Sequence, residues 1–350
     1  MMIVGCDLHT RYQQIAMLDD QTGELTERRL EHEGGQARAF YAGLASPVRV
    51  GIEATGYTQW FERMLGELGH ELWFGDAAQI RASAVRQQKT DQRDAALILD
   101  LLLSKRFPRI WVPSAAERDL RQLLWHRHKL VRMRTMVGNQ LHALAMGQGV
   151  CRRAKLFTKK GRSELAGLGL GPWASRRREE LLRLLDQLDP SIAELDRAVL
   201  EQARGRQDAV HLMTHPGIGP VNALAFVVTI GLVGRFRRSK QVVSYLGLNP
   251  SEHSSGGRQR LGAISKQGNT LVRWLLLEAA QHAARFDPEL RQDYQRLKFR
   301  RGSAVAKVAI ARKLAVRMYW MLRSGADYAR LVRMQGSPGG TLLSTTTPLR

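Results

Sequence analysis

The chain has 350 residues, with 54 Lys and Arg against 32 Asp and Glu and a formal net charge of +22. That excess points to a polyanionic partner, nucleic acid first and an anionic membrane surface second. No apolar run reaches membrane-spanning length, no secretion signal opens the chain, and Cys6 and Cys151 form no metal-ligand pattern. A reducing cytoplasm fits, and the length predicts two or three domains.

Residues 2–8 read as a strand ending in Asp7-Leu8-His9, and Tyr12–Leu18 as a second strand. Asp19-Asp20-Gln21-Thr22-Gly23 reads as a hairpin turn, followed by an edge strand over Leu25–Leu30. Gln36–Leu44 reads as a helix, Val48–Glu53 as a strand, and Tyr57–Leu68 as an amphipathic helix. His70–Gly75 is a fifth strand, and a further helix leads to Lys89. Three antiparallel strands, then alternating helices and strands, predict an RNase H-like α/β domain.

Thr90 is a suitable N-cap for an apolar helix from Asp91, and Asp91 and Asp94 share the face of its first turn. Acids there are ordinary, because the helix dipole favours them. Two more acids, Asp7 and Glu53, stop apolar runs, and an acid at the end of a buried strand is costly unless it is paired or binds a cation. Asp7, Glu53, Asp91 and Asp94 together look like a metal-ion phosphodiester site. Two ions about 3.5–4 Å apart could clamp the attacking and leaving oxygens.

Beyond Pro113 the pattern changes to long helices. Ala115–Met146 carries leucines with Arg121, Arg127, Lys129, Arg132 and Arg134 between them. These read either as a solvated basic face or as a phosphate-contact surface, and the net charge favours the second. Ala174–Arg204 reads as a helical hairpin or bent coiled-coil arm interrupted at Asp189-Pro190. Its leucine seam suits a dimer contact, though packing on the chain's own helices is the plainer account. Pro216-Gly217-Ile218-Gly219-Pro220 before an apolar helix resembles a helix-hairpin-helix turn, whose glycines admit a phosphate to backbone N–H groups.

The stretch 245–262 contains Ser251, Ser254, Ser255, Gly256, Gly257, Arg258 and Arg260. It is either a flexible polar loop or a serine nucleophile flanked by phosphate-binding arginines. A helix follows from Asn269 through His282, and another over Ala304–Leu322, preceded by Lys298, Arg300 and Arg301 around Phe299. The tail from Gly336 has a disordered composition.

The order of these motifs resembles the DEDD-type transposases of the insertion sequence 110 family, including its insertion sequence 1111 branch. The resemblance rests on Gly-Cys-Asp-Leu-His at Asp7, Gly-Ile-Glu-Ala-Thr-Gly at Glu53, and Lys-Thr-Asp-Gln-Arg-Asp-Ala at Asp91 and Asp94. Pro-Gly-Ile-Gly-Pro at 216–220 and Ser-Ser-Gly-Gly at 254–257 complete it. It implies a RuvC-like RNase H-fold catalytic domain over 1–108 and a helical, coiled-coil linker and dimerisation region over 109–205. A helical transposase domain with the serine loop would span 206–333, and 334–350 would be a disordered tail.

The four acids would hold Mg2+ or Mn2+. Ser255 is the first choice of nucleophile because it precedes Gly256-Gly257, with Ser254 second and Tyr245 third. Arg258 and Arg260 would stabilise the transition-state charge, and Arg121, Arg127, Lys129, Arg132, Arg134, Gly217 and Gly219 would touch nucleic acid. The implied partners are DNA (element ends, circular donor and target), a structured non-coding guide RNA, and further copies in a homodimer or homotetramer. The implied setting is a prokaryotic, nucleoid-associated cytoplasmic enzyme. Competing readings are a Holliday-junction-resolvase-like endonuclease, which leaves the serines idle, and a non-enzymatic RNA- or DNA-binding protein, which leaves the acids unexplained.

Overall fold

In the central strands of the N-terminal sheet, Val4 and Cys6 flank Gly5, and Val50 and Ile52 flank Gly51. In the computed structural model, which describes residues 2–45, 47–84, 90–151, 155–254 and 260–336, the chain divides into compact units at Met1–Val112 and Pro113–Arg350. The first unit holds β1 (Met2–Leu8), β2 (Tyr12–Asp19), β3 (Leu25–Glu31), α1 (Gln36–Ala42), β4 (Val48–Glu53), α2 (Gln59–Glu67), β5 (Glu71–Gly75), α3 (Ala77–Ala82) and α4 (Asp91–Leu103). The sheet order is β3-β2-β1-β4-β5, with β1–β2 and β2–β3 antiparallel and β1–β4 and β4–β5 parallel.

The two sheet faces differ. Val4, Cys6, Ile15, Val50 and Ile52 pack with Tyr41 of α1 and Phe61, Met64 and Leu65 of α2. Cys6 is a buried core residue and donates to Gln13 Oε1. The other face carries α4. A Cβ on Gly5 would sit 2.3 Å from the Ala95 carbonyl oxygen, and one on Gly51 2.7 Å from Leu102 Cδ1. These glycines let α4 lie almost on the strands. Because side chains alternate along a strand, Asp7 and Glu53 project to the same face as Gly5 and Gly51.

The second unit is helical. It comprises α5 (Ala115–Gly147), α6 (Lys159–Ala166), α7 (Pro172–Arg204), α8 (Gln207–Met213), α9 (Pro220–Ile230), α10 (Ser239–Tyr245), β6 (Pro250–Glu252), β7 (Leu261–Ile264), α11 (Thr270–Phe286), α12 (Pro288–Arg301), α13 (Ser303–Ser324) and α14 (Tyr328–Gly336). Helix α5 starts at a full capping box, with Ser114 and Glu117 satisfying each other's backbone N–H groups. Helices α5 and α7 form an antiparallel pair, since Arg127 meets Asp196 while Arg134 meets Asp189. Leu181, Leu185, Leu188 and Ile192 face Val137, Leu141 and Ala145 along the seam. Every residue from Ala223 to Ile230 of α9 is buried, and α8, α10, α11 and α13 contribute to the same core.

Two expectations change. The break expected at Asp189-Pro190 is absent, and α7 is one 33-residue helix. Pro190 lies on the exposed side, while Leu188 and Ile192 hold the seam on either side of it. The stretch 245–262 is not simply a loop, because β6 within it pairs antiparallel with β7, which starts at its end. Gly217 has φ +87°, and a Cβ there would meet the Ala283 backbone nitrogen at 2.7 Å. Close packing on α11 and the left-handed turn account for this glycine.

Candidate active site

Asp7 and Glu53 reach the site by register. Cys6 pairs with Ile52 across the parallel strands β1 and β4, so the two acids lie one step further on, at matching carboxyl ends. Helix α4 brings Asp91 and Asp94 in its first turn, started by Thr90, whose hydroxyl accepts the Arg93 N–H at 3.4 Å. The positive end of the α4 dipole favours negative charge there.

Asp7, His9 and Asp91 each offer one ligand atom within 4.8 Å of the others. His9 Nε2 lies 3.1 Å from Asp7 Oδ2 and 3.4 Å from Asp91 Oδ2. The Tyr12 hydroxyl donates to Asp91 Oδ2 at 2.8 Å, and the Arg29 guanidinium lies over the Tyr12 ring. Burial raises the Asp7 carboxyl above its usual range; His9 opposes the rise, and Asp94 and Asp91 add to it. Asp94 is thus close enough to act on Asp7 while standing outside the three-donor group. Glu53 also stands outside it and faces the largely exposed Arg81 at 3.9 Å, a long contact of little energetic weight.

The donor set suits a hard divalent cation. Converging carboxylates repel one another, a smaller part of the Asp7 rise than burial, and a cation among them relieves that repulsion. His9 and Tyr12 were not anticipated as site residues. The available signal was spacing: in Asp7-Leu8-His9, the first and third residues of an extended segment point the same way.

Of the serine stretch, Ser255, Gly256, Gly257 and Arg258 lie outside the described residues. Ser254 follows β6; its hydroxyl donates to Glu252 Oε1 at 2.6 Å and accepts the Arg260 N–H at 3.2 Å. Arg260 is exposed. The Tyr245 ring is packed under the Arg235 guanidinium and against Phe236.

The basic residues of α5 separate into two kinds. Arg121 donates to the Val228 carbonyl at 2.6 Å, capping α9, and burial lowers its pKa. Arg127 and Arg134 face Asp196 and Asp189 of α7. Lys129 and Arg132 are exposed. Gly219 is the N-cap of α9 with open space around its Cα, whereas Gly217 is packed.

Comparison with known proteins places the chain among transposases. Residues 4–147 match a transposase family model for the DEDD group of insertion sequence 110, and residues 209–295 match the model described as "Transposase IS116/IS110/IS902 family". The chain is 32% identical over 330 residues to a probable family 20 transposase of Pseudomonas aeruginosa, covering 92% of this chain and 96% of that protein. It is 27% identical over 338 residues to the transposase for insertion sequence element IS1111A of Coxiella burnetii, covering 93% and 91%. A third relative, the transposase for element IS1328 of Yersinia enterocolitica, is 26% identical over 296 residues, covering 79% and 84%. The chain belongs to the IS116/IS110/IS902 family of insertion-sequence transposases.

Proposed function

We propose that the N-terminal unit is an RNase H-like, RuvC-like catalytic domain that cleaves and rejoins DNA strands at the site of Asp7, Glu53, Asp91 and Asp94. The observation that carries this reading is the convergence of Asp7, His9 and Asp91, with Asp94 acting on Asp7, at the carboxyl end of β1. The sheet order β3-β2-β1-β4-β5, with one antiparallel side and one parallel side, supports it.

Under this reading the four acids would hold Mg2+ or Mn2+. What such an ion supplies when bound is positive charge against the charge that builds on a phosphodiester during cleavage. The chain's own part is positional. Strands β1 and β4 fix two carboxylates on a rigid edge, α4 fixes two more, Tyr12 orients Asp91 by its hydrogen bond, and His9 bridges Asp7 and Asp91.

Rejoining needs the energy of the broken bond conserved. A serine nucleophile conserves it: the Ser255 oxygen bonds to phosphorus, the bond from phosphorus to one deoxyribose oxygen breaks, and that oxygen leaves with a proton. Ser254, already pinned beside Glu252 and Arg260, is the alternative nucleophile. Arg258 and Arg260 would face the phosphate. A structured non-coding RNA that pairs with donor and target, and assembly as a homodimer or homotetramer, belong to the same proposal and rest on the family resemblance.

The test is strand transfer between labelled element-end and target duplexes, with divalent metal and with the element's own transcripts. Asp91→Asn is expected to lower cleavage by at least the about 10–100-fold that disturbing a metal's outer shell costs while duplex binding persists. Full recombination by Asp91→Asn removes the acidic site from the mechanism.

A further inference from the structure

Phe299 is 94% exposed, the highest value among the large apolar side chains of the described residues. It stands in the last turn of α12 between Lys298 and Arg300, with Arg301 next, and all three cations are exposed. Among the described residues none of the three faces a carboxylate. Their neighbours differ: Arg296 pairs with Asp293 at 2.8 Å and Lys307 with Glu278 at 3.7 Å. The helix dipole favours cations at this end, which accounts for the charges. It does not account for a phenyl ring held out in water among them.

We propose that this end of α12 is a stacking platform for an unpaired DNA strand, with a base on the Phe299 ring and the flanking phosphates on Lys298, Arg300 and Arg301. Aromatic rings interleaved with cations are what single-strand binding requires, since every base has a π-face and every linkage a charge. Duplex bases are already stacked on one another and offer no free face. A transposase opens strands as it cuts and exchanges them, so unpaired DNA exists during its reaction. The proposal rests on the DNA-rejoining reading above, but the platform uses none of the four acids. Gly302, at φ +83°, turns the chain from α12 directly into α13. The ring is thereby carried on a helix braced by its neighbour, not on a loop.

The experiment is photo-cross-linking of the full chain to an oligodeoxynucleotide carrying 5-iodouracil, single-stranded or annealed, with the linked peptide located by mass spectrometry. The single strand is expected to link at Phe299, and Asp91→Asn protein is expected to give the same adduct. Phe299→Ala should weaken single-strand binding about fivefold or more with duplex affinity unchanged, and Phe299→Trp should retain it. The ring is exposed, so neither variant touches the core. Linkage elsewhere, together with unchanged single-strand affinity in Phe299→Ala, overturns the proposal. Tighter competition by the RNA of the same sequence overturns the assignment to DNA. A change in sedimentation of Phe299→Ala with unchanged single-strand affinity makes the patch a contact between copies instead.

Discussion

His215 shows how far one environment can move a side chain. Burial lowers its pKa from 6.5 to about 4; the bond to the Pro216 carbonyl opposes this and Arg317 adds to it. The geometry is consistent: Nδ1–H donates to Pro216 at 2.8 Å, and Nε2 faces the Arg317 guanidinium at 3.4 Å, which favours the neutral ring. Between 6.5 and about 4 the unfolded chain binds a proton that folded His215 refuses. Its contribution is therefore complete above 6.5 and is lost as pH falls toward 4, by about 3 kcal/mol in all. Asp287, in the same cluster, is depressed: burial raises it, but the Leu290 N–H, the Tyr328 hydroxyl and Arg317 together outweigh that. Its contribution disappears only below 3.8, under the histidine's window. Urea unfolding of wild type and His215→Gln at neutral pH and near pH 4 should show the wild type losing more stability on acidification. Equal losses would mean that the ring is protonated in the fold.

At the scale of elements, the close seating of α4 on β1 is the feature on which the acidic site depends. A Cβ on Gly5 would lie 2.3 Å from the Ala95 carbonyl oxygen and 2.4 Å from the Leu99 nitrogen, both backbone atoms that cannot swing aside. Gly5→Ala should therefore push α4 off the strand, cost about 3 kcal/mol and reduce cleavage, because Asp91 and Asp94 move with the helix. Gly66→Ala in α2, where a Cβ meets nothing within 4 Å, is the control and should be neutral or mildly stabilising. Denaturant titration of the two variants decides it, and equal midpoints would refute the argument. The same elements show what was legible in the sequence. Strands β1 and β4 announce themselves by apolar runs ending in acids, and α4 by the Thr90 cap. His9 and Tyr12 escaped because neither is an acid and their meeting with Asp91 depends on the β1–β2 hairpin. Propensity predicts a break at Pro190 because it knows nothing of the partner helix, and β6–β7 escapes prediction because strands of three and four residues carry too little periodicity.

Over the whole molecule, the +22 charge is not a uniform coat. Part of it is spent inside the helical unit, where guanidinium groups satisfy carbonyls at helix ends and turns. Arg121 serves Val228, Arg178 serves Leu165 and Ala166, and Arg273 serves Leu246 and Gln267. Such groups are already hydrogen-bonded and partly buried, so they add to the long-range field but have little freedom to replace a counterion on a phosphate. Exposed cations such as Lys129 and Arg132 of α5 do have it. Duplex binding should weaken steeply with salt, with a logarithmic slope of about −0.9 for each phosphate neutralised. Lys129→Ala and Arg132→Ala should each lower the magnitude of that slope by about 1 while leaving the fold intact. Arg121→Ala should do the reverse, leaving the slope unchanged but lowering stability by about 1–3 kcal/mol, because the α9 carbonyls lose their partner. Fluorescence anisotropy across a salt series, run beside thermal unfolding of the same three proteins, separates contact charge from structural charge. A slope that falls equally in all three would show that only total charge matters and that the division drawn from the hydrogen bonds is wrong.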